Sequence, residues 1–111
     1  MTDTSLIATT SGQRLSLLNP DSDQVRLCDI AHSLARIPRF NGHCLGAVPW
    51  SVADHCLLVE RLLSQPPACP RLRLAGLLYD AHKAYTGELS FPMTMALRQV
   101  LRLRPGAIHS T

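Results

Sequence analysis

The residues able to do chemistry stand at the edges of apolar helical stripes. His55 follows Val52 by three positions and precedes Cys56 by one, so it borders the apolar face of its segment. Asp80 stands among Leu77, Leu78 and Ala81. A carboxylate there is costly unless a cation or hydrogen bonds compensate it. A neutral imidazole and a carboxylate begin a divalent-metal site, although two ligands do not complete one. Lys83, three residues after Asp80 and four after Tyr79, shares a helix face with both. A purely structural role for His55 and Asp80 is the alternative, and spacing leaves both open. His43 follows Asn41-Gly42, a turn signal, and serves either as a turn residue or as a ligand contact.

These side chains need elements to carry them. Residues 5–18 alternate loosely around Ser11-Gly12, which predicts a short β-hairpin. Asn19-Pro20-Asp21 then breaks the chain. A helix is predicted over Asp29 to Ile37, with Ile30, Leu34 and Ile37 on one face and Pro38 ending it. After a loop from Arg39 to Trp50, Ser51 with Asp54 three residues later forms a capping-box pattern. It opens a second helix from Val52 to about Ser64, apolar at Val52, Cys56, Val59 and Leu63. A Pro-rich connector leads to a third helix over Arg71 to Tyr85, with Leu74, Leu77, Leu78 and Ala81 apolar, stopped by Thr86-Gly87. Pro92 opens a fourth, reaching Leu103, and residues 105–111 form a tail. The short connector makes the second and third helices antiparallel neighbours, so His55 and Asp80 can meet. The expected architecture is mainly α: a compact helical bundle, residues 29–104, with the hairpin appended, all one domain over 1–111.

Composition agrees with a globular chain and excludes disorder. The 111 residues are 46% hydrophobic and 17% charged. The formal charge is +3, a mild bias that permits a polyanionic partner without requiring one. Cys28, Cys44, Cys56 and Cys69 lack C-x-x-C spacing, which argues against a zinc knuckle. The first residues show no secretory pattern and no apolar run has membrane-spanning length, so a cytoplasmic protein with reduced thiols and no membrane partner is expected.

Three blocks carry a resemblance. Arg39-Phe40-Asn41-Gly42-His43, then Ser51-Val52-Ala53-Asp54-His55, then Leu77-Leu78-Tyr79-Asp80-Ala81-His82-Lys83-Ala84-Tyr85-Thr86-Gly87-Glu88 closely resemble a branch of the HD-domain phosphohydrolases, similar to deoxynucleotide phosphohydrolases. The likeness runs roughly from Thr9 to Gln99. It implies a bundle that binds a divalent metal through a His, a His-Asp pair and a later Asp. Residue by residue, the first His falls on His55 and the paired Asp on Asp80. The paired His falls on Tyr79, a phenol that ionises near pH ~10. Lys83 stands where the family has a Glu that activates water; a lysine ammonium donates only. Glu88 replaces the Asp of the family's Gly-Asp. The family's last Asp has no counterpart, because no Asp or Glu follows Glu88. The resemblance thus implies an HD-like scaffold truncated before that ligand.

The resemblance and its departures imply a catalytically degenerate binding protein in which the Lys83 charge replaces a metal. No resident cofactor is then expected, and the partner is a protein. Small size and a lost site suit an inhibitor of a host enzyme, of the phage or mobile-element, anti-CRISPR-like kind. An exposed seam also suggests a homodimer. The competing expectation is an active nucleotide phosphohydrolase in which His55 and Asp80, helped by Glu88 and His43, hold manganese, cobalt or magnesium.

Overall fold

The computed structural model describes residues 2–101. The predicted tail 105–111 and the end of the predicted fourth helix lie outside the described residues.

The hairpin forms as expected. β1 (Leu6–Ala8) pairs antiparallel with β2 (Arg14–Ser16), Ile7 facing Leu15. Gly12, at φ 92°, closes the turn by donating its N–H to Thr9 O at 3.0 Å. That left-handed conformation is open to glycine at little steric cost. Leu15 is buried. Asp29 ties the hairpin to the bundle by accepting from Ser11 N at 2.9 Å and from Ser11 Oγ at 2.6 Å.

α1 (Leu27–Leu34) starts two residues before the predicted boundary and ends three before it. The early end has a local cause. The residue before a proline is pushed out of the α region, and the Ile37 carbonyl instead accepts from Val52 N at 2.8 Å. Arg39 N donates to Trp50 O at 2.7 Å, and Pro38 bridges Ser51. The 38–51 loop is therefore pinned at its neck, and its first residues lie beside the start of α2 (Val52–Leu62). The capping box is present: Ser51 Oγ accepts from Asp54 N at 3.0 Å, and Asp54 Oδ2 accepts from Ser51 N at 3.0 Å.

α3 (Pro70–Leu78) begins with proline at its first turn, where a missing N–H costs nothing. It packs against α2 through Gly76. A Cβ there would collide with Leu63 and come within 3.0 Å of Val59 Cγ1. Arg73 Nε adds a 2.8 Å hydrogen bond to Glu60 Oε1.

The predicted third helix is not continuous. α3 ends at Leu78, a turn covers Tyr79 to His82, and α4 (Lys83–Thr86) is a single turn closed by Gly87 at φ 80°. Ala81 N→Leu78 O, Lys83 N→Asp80 O and Ala84 N→Ala81 O, at 3.0 to 3.1 Å, are all i→i+3 bonds. Such tighter winding places side chains three apart nearly in line. Asp80 and Lys83 therefore turn inward together, while Tyr79 swings out to 60% exposure. The predicted common face of Tyr79, Asp80 and Lys83 is corrected accordingly.

α5 (Phe91–Leu101) follows, with Thr94 buried. The core joins Ile30 and Leu34 of α1 to Val52 and Cys56 of α2, with Ile37, Leu77, Ala81 and Tyr85 against it. Leu74 and Leu78, expected in the core, are exposed because nothing among the described residues covers that side of α3. The fold is mainly α with a two-stranded N-terminal hairpin. Among the described residues no helix is long and apolar enough to cross a membrane.

Candidate functional site

The second turn of α2 carries His55, the 79–82 turn carries Asp80, α4 begins with Lys83, and Glu88 follows Gly87. They form one chain of contacts. His55 Nε2 lies 3.7 Å from Asp80 Oδ2. Asp80 Oδ1 lies 3.6 Å from Lys83 Nζ, which lies 3.0 Å from Glu88 Oε2. Asp80 and Lys83 are 2% and 3% exposed, and the Glu88 side chain is nearly as enclosed. An ammonium so deep is tolerated when carboxylates surround it closely, and here two do.

Burial pushes His55 below the ordinary histidine value; Arg39 adds to this, Asp80 opposes it, Lys83 lowers it further, and Glu88 opposes it in turn. The ring is thus mostly neutral at pH 7 and meets Asp80 as a polar contact. Burial likewise raises the Cys56 thiol, with Asp80 adding to the effect. That keeps it protonated and a poor nucleophile.

The Lys83 ammonium stands where a cation between the two carboxylates would sit. His55 and Asp80 are ligand types with suitable proximity, and Lys83 Nζ pairs with both Asp80 and Glu88. An ion placed between the carboxylates would meet a positive charge at short range. Among the described residues no three His, Cys, Asp or Glu side chains gather as a ligand set. Of the predicted site residues, His55, Asp80, Lys83 and Glu88 come together. Tyr79 is turned outward. His43 is exposed and lines, with Glu88, a cavity of about 540 Å³.

That cavity holds what residue spacing did not signal. Arg39, Phe40, Asn41, His43, Glu88, Ser90, Phe91 and Pro92 line it. The Arg39 guanidinium lies 5.1 Å from the Phe40 ring centre, while its Nη1 is buried with no hydrogen-bond partner among the described residues. Phe40 and Asn41 sit at φ 56° and 54°, a left-handed region that strains residues with side chains. Arg39 and Asn41-Gly42 were visible in the sequence as a block, but nothing in their spacing marks an inward guanidinium. The Ser11–Asp29 clasp also had no sequence signal, since it joins residues 18 apart.

No protein-family model matches the chain. It is 43% identical over 89 residues to an uncharacterized protein of Rhodobacter capsulatus, covering 78% of this chain and 45% of that protein. It is 32% identical over 99 residues to the uncharacterized protein YfdR of Escherichia coli, covering 89% of this chain and 52% of that protein. The chain therefore spans about half the length of these curated relatives.

Proposed function

We propose that this chain is a catalytically silent, HD-domain-like module that acts by binding a protein partner rather than by hydrolysing a nucleotide. One observation carries the reading: Lys83 Nζ stands buried between Asp80 and Glu88, where the resemblance expects metal-directed carboxylates and a water-activating Glu. Metal-assisted hydrolysis needs a held ion and an activated water. A lysine in that position opposes the first by charge and cannot perform the second as an ammonium. Inhibition or sequestration of a host enzyme, in a phage or mobile-element setting, is the biological role that suits such a module.

The experiment is a phosphate-release assay over ribo- and deoxynucleotide mono-, di- and triphosphates with manganese, cobalt or magnesium. The expected result is release no faster than in protein-free controls. Release that disappears in both His55→Ala and Asp80→Ala would overturn the reading.

A second reading has its own support. The cavity beside Glu88 offers the inward Arg39 guanidinium, the Asn41 amide and the Phe40 and Phe91 rings, groups suited to a phosphate and a flat base. It corresponds to an altered nucleotide phosphohydrolase, and the same assay decides between the two.

A further inference from the structure

The turn that opens the 38–51 loop carries its strain at one residue. Asn41 at φ 54° and Gly42 at φ 80°, closed by His43 N donating to Phe40 O at 3.0 Å, are the residue types that a type I′ turn favours. Phe40, at φ 56° and ψ 30°, is not one of those types. A left-handed backbone crowds its Cβ against the following carbonyl, and for a bulky residue that conformation is an outlier. The Phe40 side chain is largely exposed, so core packing does not hold it there. The conformation is imposed from both sides: by the Asn-Gly turn after it, and by the pinned neck before it, where Arg39 N meets Trp50 O at 2.7 Å.

The stretch beyond the turn is held at its ends. Residues 44–49 are all exposed. Among the described residues their hydrogen bonds stay within the stretch, from Cys44 Sγ to Gly46 O and Val48 O at 3.7 and 3.9 Å. The bonded neck, where residues 37–39 meet 50–52, forms an axis about which the stretch can rotate. Phe40 is the first residue beyond that axis. The cavity beside Glu88 is lined by residues of two stretches of chain, 39–43 and 88–92. The winding at Phe40 therefore sets how the first stretch faces the second.

We propose that Phe40 is the strained hinge of a lid. Its left-handed backbone holds residues 43–49 off the 88–92 stretch, and its return to a right-handed or extended backbone swings them across the cavity mouth. Strain released on closing lowers the cost of the closed state, so a small further gain inside the cavity tips the balance. Closing also shields Glu88, and with it one end of the Lys83 ion pair, from water. The hinge goes beyond both functional readings: it operates whether the cavity takes a nucleotide or the chain binds a protein, and nucleotide hydrolysis has no bearing on it.

The test compares Phe40→Gly with Phe40→Ala in the full chain. Both remove the ring, but only alanine keeps the Cβ that makes a left-handed backbone costly. Denaturant unfolding is expected to give Phe40→Gly a folding constant at least ~threefold higher. At an unstrained position glycine would be the less stable of the two. Closure is read by disulfide trapping in a chain that also carries Cys28→Ser and Cys69→Ser, which leaves Cys44 as the exposed native thiol. With Pro92→Cys added, oxidised glutathione is expected to form an intramolecular disulfide to Cys44, read by mass, at least ~tenfold faster than with Gln65→Cys beyond the far end of α2, which lies out of bonding reach. Adding Phe40→Gly is expected to slow the trapping ~threefold relative to Phe40→Ala, because glycine has no strain to release on closing. Phe40→Ala as stable as Phe40→Gly, trapping no faster than in the distal control, or equal trapping in the two Phe40 variants each overturns the proposal.

Discussion

Lys83 Nζ lies 3.0 Å from Glu88 Oε2, and both side chains are enclosed. Gly87, at φ 80°, lies between them and folds the chain back so that Glu88 meets the residue that opens α4. Asp80 closes the other side of the ammonium at 3.6 Å. The positive charge is therefore a structural member of the core's polar edge, and removing it leaves two carboxylates buried together.

Lys83→Met tests that dependence. The substitution keeps much of the side-chain length but strands Asp80 and Glu88 without their counter-ion. Breaking a buried pair from one side costs about 3–5 kcal/mol. Denaturant unfolding at neutral pH is expected to show a loss of that order. The triple change Lys83→Met, Asp80→Asn and Glu88→Gln is expected to recover part of it.

The pH dependence follows from His55. Its folded value lies below the ordinary one because burial disfavours the charged ring. The unfolded chain therefore binds a proton first as pH falls. Above the ordinary histidine range, about 6.5, the residue adds nothing. Stability drops as pH falls through that value and levels once the folded ring also protonates. His55→Gln is expected to flatten this part of a stability-against-pH curve measured between pH 5 and 8. The partial exposure of the ring keeps the effect small.

Gly76 tests the α2–α3 contact. Because a Cβ there collides with Leu63 and crowds Val59, Gly76→Val is expected to destabilise by about 1–3 kcal/mol. Thermal or chemical denaturation checks this. Gly76→Ala is milder, since improved helix propensity offsets part of the crowding.

Tyr79→His with Lys83→Glu restores the family-like residue types without restoring their geometry. Tyr79 points outward from the 79–82 turn, so a histidine there faces away from Asp80. The double variant is expected to gain little affinity for manganese by calorimetry, less than a return of the motif alone would suggest.

The sequence made the helices and their order legible wherever a single local rule governed them. The Ser51–Asp54 box, the Ser11-Gly12 turn and the stop at Gly87 are short-range features, and each occurs where it was expected. The meeting of His55 with Asp80 was also legible, because a short connector makes α2 and α3 neighbours. The break after Leu78 was not. Helical periodicity continues through Ala81, and only the burial of Asp80 with Lys83 selects the tighter turns. The placement of Arg39 was not legible for a related reason: it depends on the neck formed by Pro38 and Ser51, a contact between distant residues. Leu74 and Leu78 had the right period for a core, but period does not say which face a neighbour covers.

The most direct measurement of the central claim is a manganese titration followed by electron paramagnetic resonance, in which free hexa-aquo ion gives a sharp signal that binding suppresses. With Lys83 filling the space between Asp80 and Glu88, the signal is expected to rise in proportion to added metal, as in buffer alone. Suppression up to one equivalent per chain, abolished in Asp80→Ala, would contradict the account.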